Sequence, residues 1–125
     1  MRKAILAAIA VGLPVPVIAE LVSFDCIYFT ACTKGVECGS ANFDLIFRLD
    51  TTANKAFVVG NNGLSEVGAY RGASGITFLE MLGSGAVQST TVASDGSSSH
   101  SRNTIIAGTL TASQYVGNCD VGETR

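Results

Sequence analysis

His100 and Arg102 offer the clearest chemistry in this chain. An imidazole exchanges a proton near neutral pH, and a guanidinium holds a carboxylate or a phosphate with a fixed fork of donors. The segment Ser99-His100-Ser101 invites comparison with a hydrolase, in which a histidine activates a neighbouring hydroxyl. Immediate neighbours on a strand point to opposite faces, however, so neither serine readily meets the His100 ring. The sequence therefore predicts no catalytic residue here.

A hairpin signal, Ser94-Asp95-Gly96-Ser97, lies just before these residues. If its two middle residues form the turn, Thr91 lies opposite His100 and Ser89 lies opposite Arg102. This register predicts one face that carries all four side chains, and we take them as the candidate ligand-binding or partner-binding site. A solvated strand face is the alternative, and a slip of one residue in the register would break up the cluster.

The cysteines are even in number, at positions 26, 32, 38 and 119. In an exported chain they indicate two disulfides, for which three connectivities are possible. We prefer Cys32–Cys38, with Lys34-Gly35 turning the chain between them, and Cys26–Cys119, which would join the first strand to the last. A zinc site is the competing interpretation, but the C-x5-C-x5-C spacing matches no common finger and the chain has one histidine. No metal and no cofactor are expected.

The N-terminus has the pattern of a secretory signal peptide. A basic head at residues 2–3 precedes an apolar run over 4–13, and Pro14 and Pro16 lead to Ala19, after which we expect cleavage. A transmembrane anchor needs roughly 20 apolar residues, which this interrupted segment does not supply. Glu20 stands where a lipoprotein would have its modified cysteine. We expect a periplasmic or secreted protein without a membrane anchor.

Charge excludes one class of partner. Cleavage would remove Arg2 and Lys3 from 8 basic residues and leave all 10 acidic ones, so the mature chain would carry a formal charge of −4. The charges are scattered, and a basic patch of the kind that binds nucleic acid is missing. The expected partner is another exported protein or a small ligand, and the oligomeric state stays open.

Alternating strand patterns and turn signals fill the mature chain and predict an all-β protein. The clearest strand is 43–50, in which Phe43, Leu45, Phe47 and Leu49 share a face. The predicted strands are 22–30, 43–50, 56–59, 64–70, 75–82, 86–93, 98–107 and 109–116, with a frayed tail over 120–125. Eight short strands with tight turns favour one domain, 20–125, built as an antiparallel up-and-down meander that closes into a small barrel, with a β-sandwich as the alternative.

This combination resembles the small exported inhibitors of c-type lysozyme, and it is similar to other small periplasmic proteins as well. The resemblance covers the size, the export signal, the number of strands and the placement of Cys26 and Cys119. It implies a disulfide-tied eight-stranded barrel. Gly72-Ala73-Ser74-Gly75 departs from the family's Ser-Ala-Ser-Gly-like signature, so no family residue is carried over as a site.

The most economical function is a small exported binding or inhibitor-like module without catalytic activity. One alternative is a structural or accessory protein of the cell envelope. The other is a hydrolase that uses His100 with a serine.

Overall fold

A computed structural model describes residues 20–33 and 36–124 and places them in one antiparallel β-barrel. The strands are β1 (Leu21–Thr33), β2 (Val36–Asp50), β3 (Lys55–Gly60), β4 (Gly63–Arg71), β5 (Gly75–Met81), β6 (Val87–Ala93), β7 (Ser97–Ile106) and β8 (Thr109–Thr124). Each strand pairs with the next along the chain, and β8 returns to pair with β1. The predicted all-β, closed up-and-down barrel is confirmed, and the sandwich alternative was wrong. The predicted signal peptide, 1–19, and the Lys34-Gly35 turn lie outside the described residues.

Alternation along the strands builds the core. Phe24 and Cys26 on β1 and Phe47 and Leu49 on β2 point into the barrel, as the alternating pattern predicts. The centre is aromatic: Phe47 stacks on Phe78 of β5 with ring centroids 4.3 Å apart, and Phe24 meets Phe78 edge-on at 5.1 Å. The described part of the chain contains no helix long and apolar enough to span a membrane.

Two disulfides join the strands, and both predicted pairings are confirmed. Cys26 and Cys119 lie directly opposite each other on β1 and β8, so their bond ties the strands that close the barrel. Cys32 and Cys38 join the far ends of β1 and β2. The described residues include no free cysteine, which is compatible with an oxidising compartment.

The β6–β7 hairpin corrects the predicted register. Its loop has three residues, Ser94-Asp95-Gly96, and not two, because β6 ends at Ala93 and β7 begins at Ser97. Gly96 has a φ of 92°, and its N–H donates to the Ala93 carbonyl. Asp95 Oδ1 accepts from both the N–H and the hydroxyl of Ser97, which lowers the pKa of that carboxyl. A glycine at the third loop position and a capping aspartate together favour this loop over the two-residue turn.

The ends of the long strands also differ from the prediction. β2 begins at Val36, seven residues before its predicted start, and pairs with the end of β1. The tail predicted to fray belongs to β8 as far as Thr124, with Asp120 opposite Asp25 and Thr124 opposite Leu21. Closure of the barrel supplies a partner strand that a free tail would lack.

Four strands run beyond one end of the barrel. The β6–β7 ladder ends at Gln88 and Arg102, and the β2–β3 ladder ends at Phe47 and Val58. Within the described residues, β2, β1, β8 and β7 continue past these points with only one another as partners. We call the outer part of this continuation the strand extension; it comprises residues 30–33, 36–42, 103–106 and 109–114.

Candidate functional site

The one-residue difference in the β6–β7 register divides the predicted binding face. Thr91 lies opposite Ser99 on the outer surface, where its hydroxyl is 2.8 Å from that of Thr77. Ser89 lies opposite Ser101 on the same outer side. The expectation that Ser89 and Thr91 share a face with His100 and Arg102 was therefore wrong, because a shift of one residue turns every side chain of a strand to the other side.

His100 and Arg102 stay together and point inward. His100 lies opposite Thr90, and Arg102 lies opposite Gln88, so these two β6 residues occupy the places expected of Thr91 and Ser89. Across the other ladder, His100 lies opposite Tyr115 of β8.

His100 is packed among aromatic rings. Only 2% of its surface is exposed, and its ring centroid lies 5.9 Å from that of Tyr28, 5.6 Å from Phe43 and 5.8 Å from Tyr115. Its Nδ1 is 2.7 Å from the hydroxyl of Thr90, which is itself 1% exposed. Burial lowers the pKa of His100 to about 4, and the positive charge of Arg102 acts in the same direction. The imidazole is neutral at pH 7.

The second ring nitrogen of His100 has no partner. Nε2 is buried and makes no hydrogen bond with the described residues. The ring lines a cavity of about 20 Å³ that Glu80 and Gln88 also line. That volume suits a single group of the size of water. The cavity wall is completed by Leu45, Phe47, Val58, Phe78 and Thr90.

A relay of hydroxyl groups fixes Tyr28 beside His100. The Ser98 hydroxyl donates to the Thr91 carbonyl at 2.9 Å, so the Tyr28 hydroxyl, 2.9 Å from Ser98 Oγ, donates to Ser98. Burial raises the pKa of Tyr28. The relay therefore holds a neutral phenol at the centre of the barrel.

Arg102 lies at the end of the barrel from which the strand extension departs. Its guanidinium carbon is 4.9 Å from the centroid of the Phe43 ring and 5.4 Å from that of Tyr115. Its Nε is buried without a partner, whereas its two Nη nitrogens keep access to solvent. Arg102 forms no hydrogen bond or ion pair with any residue the structure describes. We call Arg102 and its two ring partners, Phe43 and Tyr115, the barrel mouth.

Hydroxyl groups continue this inner surface above Arg102. Ser113 lies opposite Arg102 and Thr111 lies opposite Thr104, so the alternation of the strands puts their side chains on the inner side. Thr33 joins them through a contact of 3.2 Å between its hydroxyl and that of Ser113. Beyond the barrel mouth the strand extension therefore presents hydroxyl donors and acceptors.

The described residues offer little to nucleophilic or metal chemistry. Ser99 and Ser101 face outward, away from the His100 ring, as strand alternation predicts. The hydroxyl that does meet His100 belongs to Thr90, which is too enclosed to meet a substrate. The described residues contain no group of three or more His, Cys, Asp or Glu side chains arranged to hold a metal ion.

The site includes residues that sequence reasoning missed. Thr90 and Gln88 follow from the correct loop length, and the glycine at position 96 is the signal that could have given it. Phe43 was placed on the inner face by its alternating strand, but its contact with Arg102 depends on how β2 and β7 meet across the barrel.

Comparison with known proteins gives no match to a protein-family model, to a curated protein or to a solved structure.

Proposed function

We propose that this chain is a small exported binding or inhibitor-like module that meets another exported protein or a small ligand at its barrel mouth and has no catalytic activity. We place the mature protein, after cleavage behind Ala19, in the periplasm or outside the cell. Two disulfides in so small a chain support that compartment.

One observation carries the proposal, namely the unpaired arginine that lies against a pair of contacting rings. A half-buried guanidinium loses hydration, and a protein normally compensates with a hydrogen bond or an ion pair. Arg102 has neither among the described residues, yet Phe43 and Tyr115 limit its orientation. A binding site needs an oriented cation with free donors. A residue that served only stability would have its donors paired.

His100 supports the barrel mouth by packing against its two rings. It is enclosed and neutral, and it packs against the same two rings that hold Arg102. Its role in the proposal is to position Phe43 and Tyr115. The hydrolase alternative receives no support from its contacts, because both neighbouring serines face the other side of β7.

The test is a binding screen on isotope-labelled mature protein, read by NMR. The probes are a c-type lysozyme, chosen from the family resemblance, and a panel of sugars, amino acids and organic acids. We expect saturable shifts at Phe43, Arg102 and Tyr115, and loss of binding in Arg102→Gln. Arg71→Gln, at the opposite end of the barrel, is the matched control. Shifts confined to other surfaces, or equal binding by Arg102→Gln, would refute the proposal.

A structural role in the cell envelope is the second candidate, and the outer surface of β1 and β8 favours it. Ile27, Phe29 and Val116 are 63%, 48% and 46% exposed on these adjacent strands. Exposed apolar side chains that lie close together mark contact surfaces. Retention of the wild-type protein in the envelope fraction, and its release by Ile27→Ser with Val116→Ser, would support this role over the first.

A further inference from the structure

This inference rests on the proposed binding role and concerns the chemistry of the ligand. The barrel mouth combines an oriented guanidinium with hydroxyl groups on one continuous inner surface. The charges, the geometry and the neighbouring groups together restrict what can bind there.

The orientation of the Arg102 guanidinium restricts the shape of the ligand. The Phe43 and Tyr115 rings lie 4.9 Å and 5.4 Å from the guanidinium carbon, and Nε at the inner end of the group is buried without a partner. The two Nη nitrogens remain toward solvent. Two parallel N–H groups from a guanidinium match the two oxygens of a planar carboxylate.

Hydroxyl groups lie beside Arg102 on the same inner surface. Ser113 lies directly opposite Arg102, and Thr104 is the next inward residue on β7. The one described contact of the Ser113 hydroxyl is with the hydroxyl of Thr33. A hydroxyl rotates to suit its partner and can donate to an anion.

Charge restricts the ligand further. Arg102 is the one cation at the barrel mouth in the described residues. Glu80, which lines the His100 cavity, lies opposite Gln88, and Gln88 lies opposite Arg102, so this carboxylate is two strands away from the guanidinium. A phosphate carries more charge and is usually held by several cations or by free backbone N–H groups. At Arg102 itself the backbone is paired on both sides, in the ladders with β6 and β8. One guanidinium therefore fits a single negative charge.

We infer that the barrel mouth binds a carboxylate, which accepts hydrogen bonds from the Nη groups of Arg102 and from the hydroxyls of Ser113 and Thr104. The carboxylate belongs either to a small organic acid or to the end of a peptide chain. Arg102 is the binding residue, and Phe43 and Tyr115 are positioning residues.

The experiment compares two ligands that differ only in charge. Labelled mature protein is titrated with N-acetylalanine and with its neutral amide, and sodium chloride of equal ionic strength is the blank. We expect saturable shifts of the Arg102 Nε–H signal and of the Ser113 and Thr104 amides with the acid alone. Inorganic phosphate should bind more weakly. Equal shifts from the amide, stronger binding of phosphate, or shifts no larger than those of the blank would overturn the inference.

Variants and a second pair of ligands sharpen the result. We expect Arg102→Gln to weaken binding at least tenfold, Arg102→Lys to weaken it less, and Arg71→Gln to leave it unchanged, with thermal unfolding as the check on folding. If Arg102→Gln does not fold, Ser113→Ala and the wild-type titration still decide. A tetrapeptide with a free C-terminus, set against its amidated form, separates the two sources: tighter binding than N-acetylalanine identifies a chain end. If the lysozyme or sugar probes shift the NMR signals of the barrel-mouth residues and the carboxylates do not, the inference of a carboxylate ligand fails while the binding role stands.

Discussion

Thr90 and His100 lie directly opposite each other inside the barrel, with the Thr90 hydroxyl 2.7 Å from His100 Nδ1. Both side chains are almost completely enclosed. The hydroxyl is the single described hydrogen-bond partner of the imidazole, because Nε2 has none. This pair links β6 to β7 below the barrel mouth and holds the ring against which Phe43 and Tyr115 pack.

Thr90→Val is expected to destabilise the protein, since it leaves both nitrogens of a buried ring without a partner. The cost of such an unsatisfied group is about 1–3 kcal/mol. Thr91→Val is the matched control: it removes a hydroxyl that contacts Thr77 on the exposed outer surface, where water can replace that contact, and should change stability by less than about 0.5 kcal/mol. Urea unfolding of both variants measures the difference. Equal effects would mean that the Thr90–His100 hydrogen bond contributes nothing.

Stability is expected to fall on mild acidification because of His100. Its pKa of about 4 in the folded protein lies below the value of about 6.5 in the unfolded chain. The unfolded chain therefore binds the proton first as the pH drops. The contribution is complete above pH ~6.5 and is lost progressively towards pH ~4, to a total of about 3 kcal/mol. Urea unfolding at pH 7, 5.5 and 4.5 measures the loss.

The control for this prediction removes the imidazole. Arg102 disfavours the proton on His100, while the charge of Glu80, which lines the same cavity, would favour it. His100→Gln should flatten the pH dependence in this range and leave only the carboxylate contribution. His100 is the sole histidine of the chain, so its ring signals report its pKa directly. A measured pKa near 6.5 would contradict the prediction.

The sequence predicted the barrel because alternation and turn signals are local. The inward rows of β1 and β2, the eight strands and the Cys26–Cys119 pairing all follow from patterns that span a few residues, together with the need to join the first strand to the last. The candidate site depended on register, and register depends on loop length. One extra residue at Ser94 separated Ser89 and Thr91 from His100 and Arg102. Contacts across the barrel, such as Arg102 over Phe43, have no local signal at all.

Gly117→Ala is expected to destabilise the closing ladder. Gly117 lies opposite Tyr28, and a Cβ there would overlap the Ile27 carbonyl oxygen and come within 2.7 Å of Tyr28 Cα. Both are backbone atoms, so the strands must shift, at a cost of roughly 3 kcal/mol. Gly122→Ala on the same strand meets nothing within 4 Å and should be neutral or slightly stabilising. Thermal unfolding separates the two, and a neutral Gly117→Ala would show that β1 and β8 are less closely held than described.

The two disulfides are expected to contribute unequally. Cys26–Cys119 spans 93 residues and Cys32–Cys38 spans 6. Chain entropy then predicts a loss of about 4–5 kcal/mol for the double alanine variant of the first and about 2 kcal/mol for the second. Denaturant unfolding under non-reducing conditions measures both. Equal losses would indicate that packing around the sulfur atoms, and not restriction of the unfolded chain, dominates.

Asp25 and Asp120 provide the last prediction, because they lie directly opposite each other on the outer surface of the ladder that closes the barrel. Like charges at opposed positions of an antiparallel pair are destabilising. Arg48 lines the same surface groove but forms no ion pair with either residue in the described part of the chain. Asp120→Asn should therefore stabilise the protein by about 0.2–1 kcal/mol at low salt. Asp44→Asn, which removes an exposed carboxylate opposite Ile27, should have a smaller effect. High salt should reduce the gain by screening the repulsion. A gain that salt does not reduce would assign the effect to the side-chain amide instead of the removed charge.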